Sequence, residues 1–225
     1  MAENEFTVTE VPENYEQKCC CALVLDVSSS MKGSPMDELN DGLREFYGDI
    51  SKDPTTANRL EVAIVEFSSN VETLVDPSLV ANFRMPTLTS KGTTKLAEGV
   101  LEGINIVRMR KQWYKDTGQP YYRPWVILIT DGAPDSDQNI VALAEEINDG
   151  MNRKDFFFLA IGVQNADMQM LLSISSSAVP PLKLQGLKFS EFFRWLSASF
   201  TMVTSSTGEK ADLPPVANWA KGFSV

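Results

Sequence analysis

Asp26, Ser28 and Ser30 stand at alternate positions of the segment Asp26-Val27-Ser28-Ser29-Ser30, directly after the apolar run Cys20 to Leu25. Two more oxygen-bearing sets follow downstream. Gly92-Thr93-Thr94 precedes a helical pattern, and Thr130-Asp131-Gly132 ends the apolar run Trp125 to Ile129. Each set alone reads as ordinary chain punctuation. An acid with serines after a strand is common turn chemistry, a threonine before a helix is a common cap, and Asp-Gly is a common turn. Hydroxyls and carboxylates brought together, however, are donors for hard cations such as magnesium, manganese or calcium.

The chain contains no histidine. A Ser-His-Asp triad, a Cys-His pair and a His-ligated zinc are therefore impossible. Its three cysteines, Cys19, Cys20 and Cys21, are consecutive, so neighbouring side chains of a strand point to opposite faces. They read as reduced core thiols rather than as metal ligands, which come in separated pairs.

The elements that must position these residues follow from periodicity. Cys20 to Leu25 is a buried strand, and Ser34-Pro35 with Asp37 marks a helix start, with Ser34 as N-cap. Leu60 to Phe67 and Val71 to Val75, separated by three residues, form an antiparallel hairpin. Thr93 or Thr94 caps a long helix through Val107, and residues 111–124 form an aromatic loop. Strand Trp125 to Ile129, helix Ile140 to Met151, strand Phe156 to Val163, a short helix near Asp167 to Leu172, strand Leu182 to Leu184 and a final Phe-rich helix follow.

This alternation predicts a doubly wound, Rossmann-like α/β fold. A mostly parallel sheet carries one short antiparallel edge strand, with helices on both faces. Residues 1–17 form an N-terminal arm, 18–204 the domain and 205–225 an extended tail. Asp26 and Asp131 lie at carboxyl ends of strands, where such folds gather ligands, and Thr93 opens a helix that could face them.

Charge narrows the partners. With 30 acidic and 20 basic residues the net charge is −10, which argues against nucleic acid and anionic membrane. The first twenty residues lack a signal-peptide pattern and the apolar runs are too short to span a bilayer, so a cytoplasmic location is expected.

The order D-x-S-x-S, Gly-Thr, Asp-Gly, each in its context, resembles the metal-ion-dependent adhesion site (MIDAS) of von Willebrand factor A (VWA) domains. The resemblance implies a Mg2+ site at Asp26, Ser28, Ser30, Thr93 and Asp131, with Thr94 the competing choice of threonine. The serine hydroxyls would bind the ion directly and the acids would act through water. Neutral donors leave the cation's charge incompletely neutralised, so an Asp or Glu from a protein partner is the implied last ligand. Mn2+ or Ca2+ is compatible with the same donors.

More narrowly, Ser30-Met31-Lys32-Gly33-Ser34-Pro35, Lys91-Gly92-Thr93-Thr94, Ile129-Thr130-Asp131-Gly132-Ala133-Pro134, Gly162-Val163-Gln164-Asn165-Ala166-Asp167 and Phe192 to Ser199 resemble the bacterial TerY-type and YegL-type proteins. That family implies a cytoplasmic, tellurite-resistance-like stress-response role, with a protein kinase and a PP2C-type phosphatase as partners. The zinc-ribbon cysteine pattern of some relatives is absent from this sequence.

The expectation is thus an interaction module and not an enzyme. A haloacid-dehalogenase-type phosphatase is the enzymatic alternative, since Asp131 to Asp135 matches its acid spacing. Ser28 stands where its general acid belongs, however. The other alternative is a metal-independent scaffold using Trp113, Tyr114, Tyr121 and Tyr122, although these aromatics read first as packing on the sheet rim.

Overall fold

The computed structural model describes residues 12–206, 213–216 and 219–222. Its first strand, β1 (Cys19–Asp26), is buried along its whole length. Alternation divides it between two cores: Cys19, Cys21, Leu23 and Leu25 pack on one face, and Cys20, Ala22 and Val24 on the other. All three thiols are free and fully buried, and burial pushes each pKa far up, so none is a ready ligand.

The remaining elements are α1 (Ser34–Lys52), α2 (Pro54–Arg59), β2 (Leu60–Phe67), β3 (Val71–Leu79), α3 (Leu96–Thr117), β4 (Trp125–Thr130), α4 (Ile140–Asn152), β5 (Phe157–Gly162), α5 (Met168–Ile174), β6 (Leu182–Leu184), α6 (Phe189–Ser205) and β7 (Ala220–Gly222). Among the described residues the sheet order is β3-β2-β1-β4-β5-β6-β7. Strands β2, β1, β4, β5 and β6 run parallel. The hairpin strand β3 is the expected antiparallel edge. A further antiparallel strand, β7, comes from the segment assigned to the tail. Three residues without periodicity give no strand signal in sequence, and only pairing with β6 defines them. Residues 1–11 of the arm and 207–212, 217–218 and 223–225 of the tail lie outside the described residues.

Helices α1 and α6 cover one face through Phe46, Phe193 and Phe200, with ring centroids 5.7 and 6.3 Å from Phe46. Helices α3, α4 and α5 cover the other through Leu96, Val100, Ile104, Leu143 and Leu171. Removing such side chains from water stabilises by about 1.5–3 kcal/mol each.

Three local expectations are corrected. The aromatic loop at 111–124 begins late, because α3 continues to Thr117 and ends where Gly118 adopts φ 69°. Tyr114 is thereby a fully buried helix residue. Its hydroxyl donates to buried Glu61, which Arg110 also binds with two nitrogens at 2.6 and 2.8 Å. Tyr122 is buried too, and its hydroxyl donates to the carbonyls of Thr204 and Ser206. Second, Ser34 is the first residue of α1 and not its cap, which is Gly33 at φ 84°. Third, neither Thr93 nor Thr94 caps α3. Gln138 does so from across the fold, its Oε1 accepting from the backbone N–H groups of Ala97 and Glu98 at 3.0 and 3.4 Å.

Strand order reverses beside β1: the chain passes from β1 to β2 on one side and to β4 on the other. The carboxyl ends of β1 and β4 therefore open onto the crevice where ligands collect in sheets of this kind.

Candidate metal centre

Asp26 is the last residue of β1 and has no exposed surface. Its Oδ1 accepts from the backbone N–H of Ser28 at 2.8 Å, and its Oδ2 accepts from the Thr130 hydroxyl at 2.5 Å. Thr130 ends the neighbouring strand β4, so the two strand ends are tied together through this carboxylate. The chain then makes a single 3-10 turn, Ser29–Met31, which turns Ser30 back beside Ser28. The two hydroxyl oxygens lie 3.0 Å apart, and Ser30 donates to Asp131 Oδ1 at 2.7 Å. With its one proton committed to Asp131, Ser30 accepts from Ser28.

The threonine loop closes over this group. Val27 accepts from the Lys91 N–H at 2.6 Å, and Gly92 O accepts from both the N–H and the hydroxyl of Ser29, at 3.1 and 2.8 Å. Consecutive threonines then face opposite ways. Thr93 is exposed, and its hydroxyl donates to Asp135 Oδ2 at 2.6 Å. Thr94 is buried. A Cβ built on Gly132 would lie 3.6 Å from Thr94 Oγ1 and 3.8 Å from Asp26 Oδ2, so these two oxygens flank the same side of Gly132.

Of the five residues read from the sequence, Asp26, Ser28, Ser30 and Asp131 meet in one hydrogen-bonded group. Thr93 stands beside it with its hydroxyl turned toward Asp135. The sequence contains both threonines, but which one turns inward depends on loop contacts that no local pattern encodes. Thr130 is not among the five residues the motif implies, although it stands immediately before Asp131.

The electrostatics favour a cation. Burial, opposed by the hydrogen bonds from Ser28 and Thr130 and reinforced by Asp131, pushes the Asp26 carboxyl up to about 6. Burial also raises Asp131. The main influences on Asp26 and Asp131 are burial, hydrogen bonds and, for Asp26, the neighbouring acid. Two desolvated acids side by side are what a bound divalent ion would relieve. Among the described residues, no group of three or more Cys, Asp or Glu could hold a metal by itself. Hydroxyls would therefore have to complete any ligand set here. Those of Ser28 and Ser30 lie in the group, with Thr93 and Thr94 on the adjoining loop, and such an oxygen-only donor set fits Mg2+.

A family model for the von Willebrand factor type A domain matches residues 22–182, which run from the middle of β1 to the start of β6 and include every residue of this group. The chain belongs to the VWA domain family. VWA domains bind divalent metal at a MIDAS and are commonly metal-dependent protein-interaction modules.

The fold of this VWA domain is similar to several solved structures. The pilus adhesin SpaC of Lactobacillus rhamnosus GG, in its open conformation, has a TM-score of 0.66 and 15% identity over 86% of this chain and 31% of its own. The ArnB paralog VWA2 of Sulfolobus acidocaldarius has a TM-score of 0.53 and 16% identity over 83% and 46%. Proximal thread matrix protein 1 of the mussel byssus, with a zinc-occupied MIDAS motif, has a TM-score of 0.54 and 16% identity over 83% and 48%. At such identities the likeness concerns the fold, and this chain spans less than half the length of each. No curated protein matches the sequence. Among the described residues, no helix is long and apolar enough to cross a membrane.

Proposed function

We propose that this VWA domain is a metal-dependent interaction module. Ser28, Ser30 and Thr94 would hold Mg2+ directly, Asp26 and Asp131 would act behind water, and an Asp or Glu of a protein partner would take a remaining coordination position. The observation that carries this reading is the hydroxyl relay from Ser28 through Ser30 to Asp131, set beside a second buried acid, Asp26.

Bound there, the ion would supply a Lewis-acidic position to an incoming carboxylate oxygen. The protein's own part is orientation. Asp26 fixes the loop through the Ser28 N–H, while Thr130 ties that carboxylate to β4. Asp131 holds the Ser30 proton, which leaves serine lone pairs for a cation. The buried Thr94, whose side chain lies against Gly132, is taken as the threonine donor in place of the exposed Thr93, whose hydroxyl is engaged by Asp135. The zinc of the mussel protein supports the wider expectation that such a site accepts other divalent ions, Mn2+ included.

The finer placement rests on the TerY-like motifs. It gives a non-catalytic protein of a cytoplasmic bacterial stress response, with a kinase or a PP2C-type phosphatase as the carboxylate-bearing partner. Titration of metal-free protein with Mg2+ in a calorimeter tests the reading, with one ion bound as the expected result. Binding to an identified partner should then require Mg2+ and one partner Asp or Glu. Partner binding at unchanged affinity in EDTA would overturn the metal-dependent mechanism.

A further inference from the structure

We infer that Asp135, outside the ligand set, is a positioning residue that turns Thr94 toward the metal centre by clasping the backbone and side chain of the threonine loop. The inference rests on the functional reading above and deepens it.

Asp135 touches both threonines at once. Its Oδ2 accepts the hydroxyl of Thr93 at 2.6 Å and the backbone N–H of Thr94 at 3.2 Å. In return the Asp135 N–H donates to the Thr94 carbonyl at 3.0 Å. The Thr94 peptide is therefore held at both its N–H and its C=O by a single residue of the loop that follows Asp131. On the opposite side, Ser69 in the β2–β3 turn accepts from the Thr93 N–H at 2.9 Å, and its hydroxyl oxygen lies 3.3 Å from that of Thr93. The fit is close, because a Cβ on Gly92 would meet Ser69 Oγ at 2.4 Å, and Gly92 sits at φ 69°.

These contacts fix which threonine faces inward. Consecutive side chains of a loop without helical turns diverge, so engaging Thr93 outward with Asp135 and Ser69 leaves the Thr94 side chain buried against Gly132, the residue that Asp26 Oδ2 also flanks. The hydroxyl of Thr93 is a latch, and the hydroxyl of Thr94 is the donor it aims. The four-residue spacing from Asp131 to Asp135, which suggested paired acids of a phosphatase, is in this fold one centre acid and one clasp.

A clasp works through its acceptor oxygen, whereas a ligand or a long-range field works through charge. Asp135→Asn keeps an acceptor for Thr93 and Thr94, and Asp135→Ala removes it. Mg2+ affinity of metal-free wild type, D135A, D135N and T93A should be measured by calorimetry, beside the melting temperature of each metal-free protein. D135A should weaken Mg2+ binding roughly 10- to 100-fold, as loss of supports behind metal ligands generally does. D135N should recover most of that loss, and D135A combined with T93A should weaken binding less than the product of the single effects. A D135A protein that binds Mg2+ like wild type would overturn the inference and leave the functional reading intact. D135N as weak as D135A would also overturn it, in favour of a charge effect. Wild type that binds no metal would remove both together. Loss of affinity that merely follows a collapse of the metal-free melting temperature in D135A, with T93A binding normally, would assign Asp135 to folding alone and overturn the clasp.

Discussion

Ser30 donates to Asp131 across 101 positions of sequence, Oγ to Oδ1 at 2.7 Å. That single bond joins the loop after β1 to the loop after β4 at the switch point of the sheet. It also spends the Ser30 proton on an acid, so that the lone pairs of Ser28 and the one of Ser30 not accepting from Ser28 remain for a cation. The expectations below follow from this arrangement.

Metal stabilisation should depend on pH through Asp26. Its carboxyl titrates at about 6 in the folded protein against an ordinary 3.8. A raised acid pKa means the folded state holds the proton more tightly. The resulting stabilisation is complete below about pH 4 and is lost as pH rises through about 6. Metal-free protein should therefore lose stability across that window. A cation competes with the same proton, so its benefit runs the other way. At about 100 times the dissociation constant, Mg2+ should add about 2.7 kcal/mol near neutral pH. That corresponds to roughly 5–10 °C in melting temperature for a domain of this size. Melts at about pH 5 should show a much smaller rise, and equal rises at both pH values would contradict the assignment.

The two threonines should separate. Thr94→Val keeps the shape and removes the proposed donor hydroxyl, and should abolish measurable Mg2+ binding with a modest change in stability. Thr93→Val removes a latch and should weaken binding while leaving it detectable. Calorimetry of the two variants decides the order, and a more severe loss in Thr93→Val would make Thr93 the donor.

Helix α3 should be intolerant where it crosses β1. A Cβ on Gly103 would come within 2.5 Å of Val24 Cγ2. Alanine gains up to about 1 kcal/mol in helix propensity, but overpacking a closed core costs about 1–3 kcal/mol. Gly103→Ala should thus destabilise by about 1 kcal/mol or more, and should weaken Mg2+ binding because α3 begins two residues after Thr94. Gly48→Ala in α1, with open space around its Cβ, should be neutral or stabilising. Denaturant titration checks both.

No phosphatase activity is expected. Ser28 replaces the acid that would protonate a leaving group, and its own hydroxyl is bonded to Ser30. Assays with aryl phosphates and nucleotides in Mg2+ should show no turnover. Turnover that vanishes in Asp26→Asn protein would require the enzymatic alternative.

Much of this was legible in sequence for a physical reason. Buried strands carry near-continuous apolar runs, so β1, β2, β4 and β5 stand out, as do Asp26 at the end of β1 and Asp131 just after β4. What stayed hidden depends on distant contacts. The turn of Thr94 over Thr93 is set by Ser69 and Asp135, 24 and 42 residues away from Thr93. The last turns of α3 are concealed by the mostly polar stretch Arg108 to Gln112, broken only by Met109. There Arg110 is held by Glu61 and lies 3.9 Å over the ring of Trp113, contacts that appear only in the folded protein. Pro77 in β3 argues against a central strand and is tolerated because β3 is an edge.

The most direct measurement is Mn2+ binding, followed by electron paramagnetic resonance of the free ion, in wild type and in the double variant Ser28→Ala with Ser30→Ala. Wild type should bind one Mn2+ that Mg2+ displaces. The double variant should remain folded by circular dichroism and leave Mn2+ free at concentrations that saturate wild type. Equal binding by the two proteins would contradict the claim that these hydroxyls hold the metal.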